Sequence, residues 1–394
     1  MAEKKRIALF INSLSGGGAE RVVSRIAREL DKEYGLYIFL VEGKKRFYEC
    51  AGTIVDLGSG KERYIVNAVH AVCNINKAVR KYKIDCVMSF LDVPNLINCL
   101  FCHKVKKIAN IRNYTDAESC RTWKEKVKFI ILRDNLKRAD KVIFASQELR
   151  MEMVKASDIE PAKAVAIENP YDAEEIDHLS HAGIEPDIER FIREHRTAVA
   201  VGRLDEQKGY DELLDIFAQV CKKDCRAALV ILGEGALKKD MEEWIRDRQL
   251  EKRVMLLGLR ENPFAYMGRC CLYVSCSLHE GFPNALVEAM ACGLPAIHTD
   301  CRTGPREIIT GGSAELNIRQ ALYSTYGILI PSHTRALVSR DMTKKEFADA
   351  WVQLLSSDET CEKYREVSRV RAVHFGMAEC LQKYQAAIDS VLQS

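Results

Sequence analysis

The 394-residue sequence contains no apolar run approaching the ~18–20 residues that a membrane-spanning helix needs. Its first apolar stretch, residues 7–11 after Lys4-Lys5-Arg6, is too short for the apolar region of a secretory signal. Low-complexity segments and short-period repeats are absent, which excludes collagen-like and repeat architectures. No Gly-x-x-x-x-Gly-Lys-Ser/Thr occurs, which excludes a P-loop. Cysteine is not scarce: there are 15, an odd and scattered set with no tight framework, as expected in a reducing compartment. Cys99-x-x-Cys102-His103 matches a haem-attachment pattern, but that attachment implies export, and no export signal is seen. The expected location is therefore the cytoplasm.

At 47% hydrophobic and 29% charged, the composition is that of an ordinary globular protein, and the length suits two domains of roughly 150–200 residues. The net charge of +3 hides an asymmetry. Residues 1–170 carry 31 Lys and Arg against 21 Asp and Glu, and the remainder carries 28 against 35. A basic first half either faces something anionic or reflects chance distribution over a large surface.

Short apolar runs alternate with helical periodicity from the start. Strands are predicted over 6–13, 37–41, 53–57, 85–90, 107–111 and 141–145, with helices over 19–34, 66–82, 93–102 and 122–138. Asn169-Pro170 closes this half, and the charged stretch 172–196 reads as a linker with a short helix. The pattern restarts with strands at 197–201, 227–232, 254–257, 271–275, 295–299 and 327–330. Helices are predicted at 210–221, 237–249, 283–292, 344–355, 359–373 and 377–392. Such alternation predicts two α/β, doubly wound domains with parallel sheets covered on both faces, flanking a cleft. Ligands of such sheets sit at the carboxyl ends of the strands.

Three segments at those ends carry candidate chemistry. In His279-Glu280-Gly281-Phe282-Pro283-Asn284-Ala285-Leu286-Val287-Glu288, Pro283 starts a helix that is apolar on nearly every face, and Gly293 stops it. Glu288 therefore falls inside a buried helix, where it either meets an arginine or accepts ribose hydroxyls. Glu280 precedes the helix N-terminus, a place suited to an anion such as a diphosphate. In Gly202-Arg203-Leu204-Asp205-Glu206-Gln207-Lys208-Gly209, Arg203 and Lys208 follow a buried strand and either clamp a diphosphate or simply line a charged loop. Gly16-Gly17-Gly18 lets backbone approach a phosphate or sugar.

These residues resemble the retaining glycosyltransferases of family 4, over about residues 7–390. Glu280 to Glu288 reproduces that family's pair of glutamates separated by seven residues, with its Gly-Phe-Pro-Asn interior. Gly202-Arg203-Leu204 with Lys208-Gly209 matches its phosphate-clamp loop. Residues 16–22 and Thr303-Gly304-Pro305-Arg306-Glu307-Ile308 look like the subgroup that builds bacterial surface and lipid-linked glycans. The resemblance implies the GT-B architecture, two Rossmann-like domains facing a central cleft. An acceptor-side domain would span 1–170, a linker 171–196 and a nucleotide-sugar domain 197–376, with a helix at 377–394 crossing back to the first domain. It implies that Glu280, Arg203 and Lys208 are catalytic, that Glu288 holds the ribose and that Arg260 lies near the base. Gly17, Gly281, Phe282 and Asn284 would line the donor pocket. Many relatives place a histidine where this chain reads Ala109-Asn110-Ile111-Arg112-Asn113, so Arg112 or Asn113 substitutes for it. The donor is expected to be a UDP-sugar rather than a GDP-sugar. The acceptor is expected to be a glycan, polyprenyl-diphosphate-linked, at the inner face of an anionic membrane; no nucleic acid is expected. No cofactor and no metal are expected, because no Asp-x-Asp occurs.

Rival activities fit less well. A nicotinamide dehydrogenase would show Gly-x-Gly-x-x-Gly rather than Gly-Gly-Gly, and Glu42 lies too far along to be its acidic partner. A nucleotide-sugar epimerase shares the two-domain plan but lacks reason to carry this glutamate pair with the Arg/Lys loop. A non-catalytic scaffold would show a broken motif. A glycosidase uses two carboxylates but needs no diphosphate clamp.

Overall fold

The computed structural model describes residues 4–15, 17–44, 46–61, 63–113, 123–312 and 317–393. They form two compact units, Met1–Pro170 with Met377–Ser394 and Tyr171–Gly376.

The first unit is built on β1 (Arg6–Ile11), β2 (Gly35–Leu40), β3 (Thr53–Asp56), β4 (Cys86–Phe90), β5 (Lys106–Ile111), β6 (Lys141–Phe144) and β7 (Ala164–Ala166). The sheet order is β3-β2-β1-β4-β5-β6-β7, with every pairing parallel. Successive side chains of a strand point to opposite faces, so a sheet covered on both faces needs apolar residues throughout. Accordingly Ile7, Leu9 and Ile11 join one buried cluster while Ala8 and Phe10 join another. The first cluster takes in Val22, Ile26 and Leu30 of helix Gly18–Glu33, and also Leu381, Tyr384 and Ile388 of the C-terminal helix Met377–Leu392. That last helix is thus part of the first unit's core, where the Tyr34 hydroxyl donates to Asp389 at 2.9 Å.

The second unit repeats the plan with β8 (Arg196–Val201), β9 (Ala227–Leu232), β10 (Val254–Gly258), β11 (Leu272–Ser275), β12 (Ala296–Thr299), β13 (Leu322–Ser324) and β14 (Gly327–Ile330), in the order β10-β9-β8-β11-β12-β14-β13. Only β13 runs antiparallel, as a hairpin arm on β14. All six residues of β9 are buried. Helices Tyr210–Lys223 and Arg340–Leu355 pack together over the core, with Trp351 against Phe217 at 5.5 Å and Phe347 at 6.2 Å between ring centroids.

Residues 171–196, expected as a linker with one short helix, form two helices of the second unit, Ala173–Ser180 and Pro186–Glu194. Each has an apolar stripe of one or two residues, Ile176 in the first and Ile188 with Ile192 in the second, too narrow to stand out among the charges. Their starts are nonetheless fixed locally. The Asp172 carboxylate accepts from the Glu175 amide, and Pro186 supplies a first-turn φ. The helix Gln147–Ala156 was hidden in the same way, burying only Leu149 and Met153 behind a Ser146 cap.

In both sheets the winding direction reverses between the first strand and the fourth, at β1/β4 and β8/β11. The carboxyl ends beside that reversal are where a doubly wound sheet leaves a crevice.

Candidate functional site

Across the β8/β11 reversal two loops lie back to back. The loop after β8 runs from Gly202 to Gly209, and Gly209 adopts φ +62°, a left-handed conformation. A Cβ there would sit 2.3 Å from the Cys276 carbonyl oxygen at the end of β11. Only glycine admits this approach. It brings Lys208 against the second loop, where its Nζ lies 2.5 Å from Glu280 Oε1. The Leu278 amide donates to the Gln207 carbonyl at 2.8 Å, and Gln207 Nε2 donates to the His279 carbonyl at 2.8 Å, so the loops are joined at three points.

The pair is well shielded, with side chains 19% exposed for Lys208 and 7% for Glu280. Burial pushes the Glu280 carboxyl upward, but the Lys208 ammonium and the Ser277 hydroxyl outweigh it and hold the group below the ordinary glutamate value. Glu280 is therefore ionised near neutral pH. Behind it, on β12, His298 is fully buried, and its Nδ1 lies 2.8 Å from the Thr299 carbonyl. Burial lowers its pKa to about 4, so it is neutral at pH 7.

Arg203, grouped with Lys208 by sequence, is turned to solvent. Its guanidinium lies 3.1 Å from Asp205 and 3.3 Å from Gln207 Oε1. Gln207 thus links Arg203 to the His279 peptide beside Glu280, a role that a charge-based reading of the loop does not reveal.

The helix after Glu280 spans Asn284–Ala291, one residue shorter at each end than expected. Glu288 is buried one turn beyond Asn284, on the same side of the helix. Gly281 and Phe282 are buried too. The Phe282 ring stacks on Tyr171 at 6.4 Å and meets Phe375 edge-on at 5.4 Å. The Tyr171 hydroxyl donates to Asn284 Oδ1. Hence the Phe282 ring faces the unit's interior. Tyr171 was missed because it follows the Pro170 that marks a domain end. Arg260, after β10, lies 3.1 Å from Glu185 and over the Tyr266 ring at 5.4 Å. The Tyr266 hydroxyl, together with Arg260, holds the Glu185 carboxyl below its ordinary value. Arg260, expected near the base, is thus placed between Glu185 and Tyr266.

The remaining candidates lie in the first unit. Gly17 caps helix Gly18–Glu33, its backbone shadowed by the Glu20 carboxylate. Gly16 lies outside the described residues. Arg112 is buried: its guanidinium donates to Asn169 Oδ1 at 2.7 Å and the Ile167 carbonyl at 3.3 Å, between the rings of Phe90 and Tyr384. This arginine is engaged in holding the end of β5 to the C-terminal helix. Asn113 is exposed. Among the described residues no group of three or more His, Cys, Asp or Glu is arranged to hold a metal ion.

A carboxylate, an ammonium and a helix N-terminus thus lie together at the sheet's reversal point. Residues 16–175 match the family model described as Glycosyltransferase Family 4, and residues 184–371 match Glycosyl transferases group 1. The chain carries the two domains of a GT-B glycosyltransferase. This glycosyltransferase is 29% identical over 338 residues to an uncharacterized glycosyltransferase of Methanocaldococcus jannaschii, covering 81% of this chain and 82% of that protein. It is 28% identical over 313 residues to the N-acetylgalactosamine-N,N'-diacetylbacillosaminyl-diphospho-undecaprenol 4-alpha-N-acetylgalactosaminyltransferase of Campylobacter jejuni, covering 77% of this chain and 83% of the other. Its fold matches that of Anabaena HepE, solved in complex with UDP, with a TM-score of 0.74 at 17% identity over 98% of this chain and all of HepE.

The buried pair makes a testable demand. Glu280, held below its ordinary value, contributes stability above the glutamate range that is lost as pH falls through that range. Lys208→Met removes the cation and strands the carboxylate, which should cost about 3 kcal/mol at pH 7. Urea unfolding should show that loss shrinking toward pH 4, where Glu280 is protonated in the variant. An equal loss at both pH values would show that the ammonium is not what stabilises Glu280.

Proposed function

We propose that this glycosyltransferase moves a hexose or N-acetylhexosamine from UDP to a glycan acceptor with retention of anomeric configuration and without a metal ion. The observation that carries the proposal is the pairing of half-buried Lys208 with buried Glu280 beside the N-terminus of helix Asn284–Ala291. Glu280 accepts hydroxyls of the donor sugar, Glu288 accepts those of the ribose, and Lys208, Arg203 and the helix N-terminus meet the diphosphate. The bond from the anomeric carbon to the diphosphate oxygen breaks as the acceptor oxygen bonds on the same face. The acceptor proton passes to the departing phosphate oxygen. The choice of UDP is supported by the nucleotide bound to HepE. The lipid-linked acceptor in surface-glycan assembly is supported by the diphospho-undecaprenol in the name of the Campylobacter relative.

UDP should raise the stability of the protein by about 2.7 kcal/mol at a hundred times its dissociation constant, and GDP by less. Glu288→Gln should weaken UDP binding and leave unfolding in the absence of ligand unchanged. A thermal shift with NAD and none with UDP or GDP would sink the assignment.

Charge that develops on the departing diphosphate needs donors fixed in advance. If Arg203, Lys208 and the helix supply them, transfer proceeds at near full rate in excess EDTA. Arg203→Ala, a change at an exposed side chain, then lowers turnover by roughly 10²-fold. Activity abolished by EDTA and restored by Mn²⁺ or Mg²⁺ would mean that a cation holds the diphosphate instead.

Helix Trp123–Asn135 suggests how a lipid-linked acceptor is met. Phe129 and Leu132 are buried, but Trp123 is 70% exposed and Val127, Ile130 and Ile131 are each about 40% exposed, among Lys126, Lys128 and Arg133. Thr122, the expected first residue, lies outside the described residues. An apolar strip edged by cations suits the headgroup layer of an anionic membrane. No helix among the described residues is long and apolar enough to cross one. The protein should float with anionic vesicles at low salt and not with neutral ones, and equal behaviour toward both would remove the membrane from the proposal.

A further inference from the structure

The loop that leaves β12 holds a residue in a conformation its side chain disfavours. Thr303 is fully buried at φ +63°. A β-branched residue in the left-handed region is a steric outlier, and such strain persists only where the surroundings over-determine it. Here they do. Asp300, fully buried at the start of the loop, is bound by Arg306 through two contacts, 3.0 Å to Oδ1 and 2.5 Å to Oδ2. Arg335 reaches the same carboxylate at 3.2 Å and donates to the carbonyls of Asp300 at 2.7 Å and Cys301 at 3.1 Å. At the far end Gly304 lies against the donor turn, where a Cβ would sit 2.6 Å from Pro283 Cδ.

Between these clamps the loop grips one peptide. The Glu280 amide donates to the Arg302 carbonyl at 3.2 Å, and the Thr303 hydroxyl donates to the Glu280 carbonyl. The peptide joining Glu280 to Gly281 is planar and trans, so its C=O and N–H point in opposite directions. Tying the carbonyl to Thr303 aims the Gly281 N–H away from the loop. Among the described residues no group accepts that N–H.

We infer that Thr303 is a positioning residue for the donor sugar: its hydroxyl sets the Glu280–Gly281 peptide so that the Gly281 N–H and the Glu280 carboxylate meet the hexose together. This rests on the proposed UDP-sugar chemistry and adds a residue that does not touch the donor. The strained backbone is what lets a threonine hydroxyl reach the carbonyl, and a glycine there would be relaxed but without a donor.

Three variants separate the roles. Thr303→Val keeps shape and branching but loses the hydroxyl, Thr303→Ser keeps the hydroxyl, and Thr303→Gly removes both strain and hydroxyl. Titrations with UDP, UDP-glucose and UDP-N-acetylglucosamine should show the valine and glycine variants binding UDP within about twofold of wild type. Both should bind the sugar nucleotide that wild type prefers about tenfold more weakly, the worth of one hydrogen bond. The serine variant should restore it. Sugar-nucleotide affinity unchanged in Thr303→Val, or UDP and sugar nucleotide weakened alike in both Thr303→Val and Thr303→Gly, would overturn the positioning role alone. A wild-type protein that binds no UDP would overturn the nucleotide assignment and this inference with it.

Discussion

Two strand-exit loops can touch across the β8/β11 reversal only because residue 209 has no side chain. That contact sets the distance between Lys208 and Glu280, and the pair in turn makes burial of a carboxylate tolerable. The neighbouring features brace this arrangement. Gln207 ties the first loop to His279, Thr303 and Arg302 tie the second loop to the exit of β12, and Tyr171 holds the turn that begins the next helix. The site is assembled from strand exits and helix starts of one unit, most of them fixed by hydrogen bonds to backbone groups.

Much of the fold was legible in the amino-acid order because its sheets are parallel and covered on both faces. Such strands read as unbroken apolar runs, as in residues 227–232, and the helix around Glu288 announced itself by apolar residues on every side and by Gly293 at its end. Most of the elements that escaped bury little, although the short helices Phe264–Met267 and Pro305–Thr310 escaped while largely buried. Helices Ala173–Ser180, Pro186–Glu194 and Gln147–Ala156 each show a stripe of one or two apolar residues, and β7 and β13 are three residues long. Ser146 and Asp172 cap two of these helices and Pro186 starts the third, local signals that hydrophobic periodicity does not register.

The site was legible to a different depth. Glu280, Glu288, Arg203 and Lys208 stand out because charged residues directly beside buried segments demand an explanation. That Lys208 and Glu280, 72 positions apart in the chain, neutralise one another is a fact of topology and could not be read from spacing. His298 was concealed inside an apolar strand, and Thr303 entered only as the first residue of the segment 303–308 that carries the family resemblance, with no role of its own until its φ was known. Arg112 drew an expectation from its place at a strand end, and the partners of its guanidinium, Asn169, Ile167 and two aromatic rings, could not be read from the sequence.

The ion pair also bears on how a reaction cycle would end. The ammonium and the carboxylate satisfy each other, so under the proposed chemistry a donor would enter by exchange: phosphate oxygens would draw Lys208 away while sugar hydroxyls took its place on Glu280. On that chemistry only an intact sugar nucleotide would bring both halves of the exchange. Once the sugar had gone, the nucleoside diphosphate would compete for Lys208 with a carboxylate that had lost its other donors. Glu280 would then act as a competitor for the leaving group, favouring product release through the movement of one lysine side chain.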